Sequence, residues 1–277
     1  MTIRRMIVTI TGWVPQSIKM AVRGNSASPR RFANVIHAVL SRVPGEKFPV
    51  LTCAGPLEGF RIKVNWEKHR SFAYGTWEPE VVQAISQSVS PGMTVLDIGA
   101  HGGFYTLLLS KLVGPKGRVI AFEPLPANFR LLEENIGLNG VENVVLRREA
   151  LGEHSGEFDL EVPGDESSLL AGELRDGDER GTTRVPAISL NDFVSRSGLR
   201  VDFIKMDVEG AEGPILRGAR QTIDAFHPCM MVELHDADRQ KELHPAAVQL
   251  RESGYQIEWL DEVSYTSHTL ARWKAKT

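Results

Sequence analysis

The chain has 277 residues, 42% of them hydrophobic and 24% charged, with a net charge of −3. That is an ordinary globular composition, long enough for one large core, or one core with a small N-terminal appendage. Two cysteines, Cys53 and Cys229, with no CxxC pair exclude a disulfide framework and a cysteine zinc site, and fit a reducing compartment.

The charge is unevenly spread. Residues 1–50 carry eight Lys or Arg against Glu46 alone, a net +7, which leaves −10 for the rest. A basic arm of this kind attracts anionic lipid, nucleic acid or an acidic partner, or is simply a solvated terminus. The apolar run 6–10 is far shorter than the ~20 residues of a bilayer span. It also lacks the h-region length and cleavage site of a signal peptide. The expected location is cytoplasmic, with peripheral membrane contact through residues 1–24 left open.

In chain order, residues 24–29 (GNSASP) read as a linker. Residues 1–90 read as a basic N-terminal extension and helical cover, ending in a helix that Glu78 and Pro79 open. The main domain is expected over 91–277. Residues 94–98 (TVLDI) form a buried strand stopped by glycine. Residues 104–112 form a helix packed on a sheet, 118–122 (RVIAF) a second strand, and Leu125, Phe129, Leu132 and Ile136 mark a helix that Asn139 and Gly140 end. A third strand starts at 143. Residues 158–162 and 183–188 are β-rich around a polar loop at 163–181. Then come a strand at 201–206, a helix at 211–226, a strand at 230–234, a helix at 245–253 and a last clear strand at 255–260. Strands alternating with helices imply a mostly parallel α/β sheet covered on both faces.

The strongest local signal is 95–103 (VLDIGAHGG), a buried strand running into glycines and then a helix. Ligands bind beyond the carboxyl ends of such strands. Gly99 and Gly103 let the backbone approach a ligand closely. A dinucleotide site wants G-x-G-x-x-G, but the second and third glycines would here be His101 and Phe104. What stands instead is D-x-G-x-x-x-G. An acid, Asp97, beside a pyrophosphate repels it, whereas beside a methionyl ammonium it attracts. That favours S-adenosylmethionine. Glu123, at the tip of the second strand, is placed to accept both ribose hydroxyls. Residues 202–212 (DFIKMDVEGAE) put Asp207 at the end of another buried strand, with Glu209 and Glu212 close behind. Glu212 also reads as first-turn helix charge favoured by the dipole.

The stretch from Gly92 to about His235 resembles the FkbM family of S-adenosylmethionine-dependent methyltransferases. The matching pieces are VLDIGAHGGFYT at 95–106, Phe122-Glu123-Pro124, DFIKMDVEGAE at 202–212 and Val232-Glu233-Leu234-His235. The segment YGTWEPE at 74–80 looks like the one preceding the first strand in that family. The resemblance implies the class I Rossmann-like sheet of seven strands, mostly parallel with the last antiparallel. It also implies Tyr74, Glu78, Asp97, Gly99, His101, Gly103, Glu123, Glu149, Ala150 and Asp207 as cofactor-binding residues. Glu149 and Ala150 would take the adenine end from the third strand. His101 stands where the family commonly has Asn; both tolerate unusual backbone angles.

For the chemistry the expected group is Asp207, Glu209, Glu233 and His235. His titrates near neutrality, so His235 is the natural base, unless it is a structural histidine and an acid such as Glu209 takes the proton. No metal is assigned to these residues; Asp236 and Asp238 either cap the next helix or join a magnesium site. The implied function is O-methylation of a hydroxyl on a sugar, glycan, glycolipid or natural product. The rivals are N-methylation of an amine or nucleic acid, and a non-catalytic S-adenosylmethionine-binding protein. Against nucleic acid stand an acidic core and the lack of an Asn/Asp-Pro-Pro-Tyr-type tetrapeptide.

Overall fold

The computed structural model describes residues 48–51, 55–64, 71–72, 75–161, 182–235, 241–260 and 266–274. The basic segment 1–47, Tyr74, the loop 163–181, Asp236 and Asp238 lie outside the described residues. The chain divides into two compact units, 1–77 and 78–277. In the first, β1 (Phe48–Leu51) pairs antiparallel with β2 (Arg61–Val64). The sequence reading set the boundary at residue 90; the structure sets it before helix α1 (Pro79–Ser88), which packs on the sheet of the second unit.

The second unit runs β3 (Thr94–Ile98), α2 (Phe104–Val113), β4 (Arg118–Phe122), α3 (Pro126–Asn139), β5 (Val144–Arg147), β6 (Ala150–Gly152), β7 (Gly156–Glu161), β8 (Thr182–Ser189), α4 (Leu190–Ser197), β9 (Phe203–Met206), α5 (Glu212–Gly218), α6 (Arg220–Phe226), β10 (Cys229–His235), α7 (Pro245–Glu252), β11 (Tyr255–Trp259) and β12 (Thr266–Trp273). Seven strands form one sheet in the order β11-β12-β10-β9-β3-β4-β5. The central pairs are parallel, and β12 is antiparallel to both β10 and β11.

The strands are apolar runs because both faces are covered. Along β3, Val95, Leu96, Asp97 and Ile98 are all buried, so neither side of the pleat meets water. Leu96 and Ile98 join a core with Ile120, Phe122, Ile204 and Met206, roofed by Leu190, Phe193, Ile215, Leu216, Ile223 and Leu250 from α4, α5, α6 and α7. The alternate residues face the opposite way, the side on which α2 packs against β3 and β4. Helix α2 is buried at eight of its ten positions, hence its nearly unbroken apolar sequence.

Two helix ends follow from their capping residues. Ser189 accepts the Asp192 N–H at 3.1 Å to start α4. Gly140, with φ 58°, ends α3.

Two expectations are corrected and one left open is filled. The helix read over 211–226 is two helices, with a break after Gly218, a poor helix former. The sequence leaves the β-rich segments at 158–162 and 183–188 without a sheet; β7 and β8 join β6 in a separate sheet of order β6-β8-β7. The strand at 255–260 is not the last: β12 follows it and inserts between β11 and β10.

Candidate active site

Strands β4, β3, β9 and β10 lie side by side and parallel, so their carboxyl ends open on one edge of the sheet. Two loops build the edge. The first leaves β3 at Gly99, where φ is 76° and a Cβ would stand 1.7 Å from the Asp207 carbonyl oxygen. Only glycine lets the loops after β3 and β9 touch. His101 follows with a left-handed φ of 50°. Its N–H donates to Glu123 Oε2 at 2.8 Å. Gly103, at φ 90°, starts α2 without a side-chain cap, and its own N–H donates to the Ala100 carbonyl at 2.8 Å.

Glu123 is only 4% exposed. Its other oxygen accepts the Leu125 N–H at 3.0 Å, and the Asn128 side chain adds a third hydrogen bond. Burial pushes its carboxyl up to about 7, against the pull of those donors. A carboxylate offers about four lone-pair positions. The protein's own donors take three of them.

The second loop carries the acids. Asp207 follows β9, Glu209 is left-handed at φ 53°, and Glu212 opens α5. Glu233 and His235 stand near the end of β10. His235 is the centre of the group. Its Nδ1 bonds Glu212 Oε1 at 2.7 Å. Its Nε2 faces Glu209 at 3.3 Å, Asp207 at 3.8 Å and Glu233 at 3.8 Å. Burial alone would lower its pKa, but the Glu212 bond and the carboxylates of Glu233, Asp207 and Glu209 outweigh burial and raise it to about 9. The expected neutral base is therefore an imidazolium at pH 7. Burial raises Glu209, although His235 pulls the other way. Burial would also raise Asp207, yet Lys205, His235 and His101 hold its carboxyl below the usual range.

The four residues expected to do chemistry thus converge. Asp207, Glu233 and His235 present ligand atoms within 4.8 Å of one another, a donor set a divalent cation accepts. This is a different group from Asp236 and Asp238.

The cofactor list divides. Gly99, His101, Gly103, Glu123 and Asp207 share the edge. Asp97 does not open onto it: fully buried, it accepts the Thr106 hydroxyl at 2.6 Å and faces Lys205 at 3.6 Å. Glu78, left-handed at φ 38°, accepts the Tyr105 hydroxyl and stands 3.7 Å from His268. Glu149 and Ala150 lie beyond the end of β5. Glu149 is paired with Arg147 at 2.6 Å, and Ala150 starts β6 in the smaller sheet.

Sequence reasoning missed Lys205, Tyr105 and His268, and left Glu212 between two roles. Lys205 is 5% exposed. A lone Lys in an apolar strand signals a buried charge that needs partners. His268, on β12, stands 3.3 Å from Glu233; no local pattern announces it.

A seven-stranded sheet with one antiparallel strand inserted near its end, and a glycine turn after its central strand, make up a Rossmann-like sheet. The model of the methyltransferase FkbM domain matches residues 97–257. The chain belongs to that family. It is 30% identical over 144 residues to Methyltransferase 1 of Beauveria bassiana, a match covering 45% of this chain and 57% of that protein. It thus spans little more than half of that relative's length. It is 27% identical over 186 residues to the 2-O-methyltransferase NoeI of Sinorhizobium fredii, covering 60% of this chain and 75% of NoeI. Among solved structures, an FkbM methyltransferase from Methylobacillus flagellatus aligns with TM-score 0.46 and 20% identity, over 72% of this chain and 52% of its own.

Proposed function

We propose that this chain is an S-adenosylmethionine-dependent O-methyltransferase whose acceptor is a hydroxyl of a sugar, glycan, glycolipid or natural product. The observation that carries the reading is the convergence of Asp207, Glu209 and Glu233 on His235, beside the Gly99 turn. The likeness to a 2-O-methyltransferase supports oxygen as the nucleophile. A charged cofactor fits the edge: the acids of the second loop suit its cationic groups.

When bound, the cofactor supplies a methyl group on a sulfonium. The protein must align the acceptor oxygen and remove its proton. His235 already holds a proton at neutral pH, so Glu209 is the acceptor of the hydroxyl proton. It is 65% exposed, hence reachable, and its raised pKa makes it a better base than an ordinary carboxylate. His235 stays cationic and keeps the neighbouring carboxylates in place.

The test is incubation with methyl-labelled cofactor and matched sugar, amine and RNA acceptors. Calorimetry is expected to show micromolar cofactor affinity, about −8 kcal/mol. Label on sugar hydroxyls supports the reading. Label on amines alone replaces it with N-methylation, and cofactor binding without transfer to any acceptor marks a non-catalytic binding protein. The pH profile then separates the roles. Activity falls above about pH 9 if His235 works as a cation, and rises through that pH if it is the base.

A further inference from the structure

The Lys205 ammonium is buried in the middle of the parallel sheet, on β9. It donates to the Gly99 carbonyl at 3.1 Å and to Asp207 Oδ2 at 3.4 Å, and faces Asp97 Oδ1 at 3.6 Å. The Tyr105 ring lies 5.1 Å away, on the first turn of α2. Three contacts reach different parts of the edge, the glycine turn, the acidic loop and the start of α2, and the fourth reaches Asp97 beneath it. Burial disfavours its charge, but Asp207, Asp97, Glu233 and Glu78 outweigh burial and keep it protonated.

We infer that Lys205 is the positioning residue of the cofactor site. Its ammonium fixes the Gly99 carbonyl and the Asp207 carboxylate relative to each other, and Asp97 acts on the site only through it. Asp97 is fully buried, with one oxygen on the Thr106 hydroxyl and the other facing Lys205. An isolated buried ammonium is costly, so the paired acid is what lets Lys205 stand there. Removing Lys205 frees Asp207 to turn away from the crevice while Gly99 loses its only side-chain donor among the bonds described above. The inference rests on the reading of this edge as the S-adenosylmethionine site.

The experiment is a double-mutant cycle read by calorimetry with S-adenosylmethionine and by thermal melting. Lys205→Met alone leaves Asp97 buried and unpaired and is expected to unfold readily. Asp97→Asn/Lys205→Met removes both charges and keeps an acceptor for Thr106, so it serves as the folded test. In the Asp97→Asn background, Lys205→Met and Asp207→Asn are each expected to weaken cofactor binding about tenfold. Together they are expected to weaken it no further than the larger single effect, since both remove one oriented group. Asp97→Asn alone is expected to alter affinity less than either. Independent, additive losses overturn the inference. So does a folded Asp97→Asn/Lys205→Met protein that binds with the affinity of Asp97→Asn. Wild-type protein that fails to bind the cofactor overturns the underlying reading instead.

Discussion

The two loops at the carboxyl edge of the sheet solve the same problem in different ways. Each leaves a central parallel strand, contains a left-handed non-glycine residue, and runs into a helix: His101 in one, Glu209 in the other. The first is held by backbone amides. Glu123 gathers the N–H groups of His101 and Leu125, and a Cβ on Gly99 would strike the Asp207 carbonyl. The second is held by side-chain charge. Glu212 bonds His235, and Lys205 bonds Asp207. The first loop turns on one carboxyl, which burial pushes up to about 7. A loop fixed by ionised side chains holds its geometry only while the charges persist.

The sharpest break is Gly99→Ala. A Cβ at 1.7 Å from a carbonyl oxygen, at φ 76°, forces the two loops apart. A loss of about 4–5 kcal/mol, among the largest for single substitutions, is expected in thermal or urea unfolding, with cofactor binding abolished. A variant melting within a few degrees of wild type would show that the contact yields cheaply.

Next is Glu212→Ala, which cuts the charged loop from β10. It is expected to cost ~1–3 kcal/mol of stability, the usual loss for an unpaired buried partner. The His235 pKa should fall from about 9 toward 6.5, because the bond that raises it is gone. Ring-proton titration by NMR reads this directly; an unmoved value would mean that Asp207, Glu209 and Glu233 suffice.

Glu123→Ala probes the amide-held loop and should weaken cofactor binding by about 1–2 kcal/mol, the scale of one charge-assisted hydrogen bond with its partner left unmet. It also has a pH signature. The folded chain keeps a proton on Glu123 up to about 7, while the unfolded chain releases it near the ordinary 4.5. Between those values the folded state binds more protons, so this residue's contribution to stability falls as pH rises. Between pH 4.5 and 7 the melting temperature should fall less, or rise more, with pH in the variant than in the wild type; an identical slope would show that Glu123 ionises normally in the fold.

Glu149→Ala is expected to do least. Its partner Arg147 is 38% exposed, and such pairs contribute less than about 1 kcal/mol. Unchanged cofactor affinity agrees with its place beyond β5. A tenfold loss would return Glu149 to the adenine end.

The sheet was legible where burial on both faces made strands continuous apolar runs, as in TVLDI and RVIAF. It was illegible at β12, whose buried residues include Ser267, His268 and Thr269. Polar residues satisfied by neighbouring strands hide a core strand from any reading by hydrophobicity. The site was legible where backbone geometry demands a residue type, at Gly99, and where acids cluster in sequence, from Asp207 to Glu212. The Glu212–His235 bond joins residues 23 positions apart and needed the β9–β10 register. That bond is also why the protonation state of His235 escaped a reading based on its ordinary pKa. Lys205 was visible as a letter, but its partners Asp97, on β3, and Gly99, just after it, became its partners only when β3 paired with β9.

The place of β12 bears on how the chain comes together during synthesis. It lies between β10 and β11 and is hydrogen-bonded to both, yet it follows them in sequence. Strand β11 therefore has no partner in the sheet until residues 266–273 have left the ribosome. Chains are made N-terminus first, so the earlier strands can assemble while this edge waits. The same strand brings His268 to 3.3 Å from Glu233. The acidic wall is thus finished by the sheet's last-made strand, and a nascent chain lacking it exposes an unfinished edge at β10 together with an incomplete site.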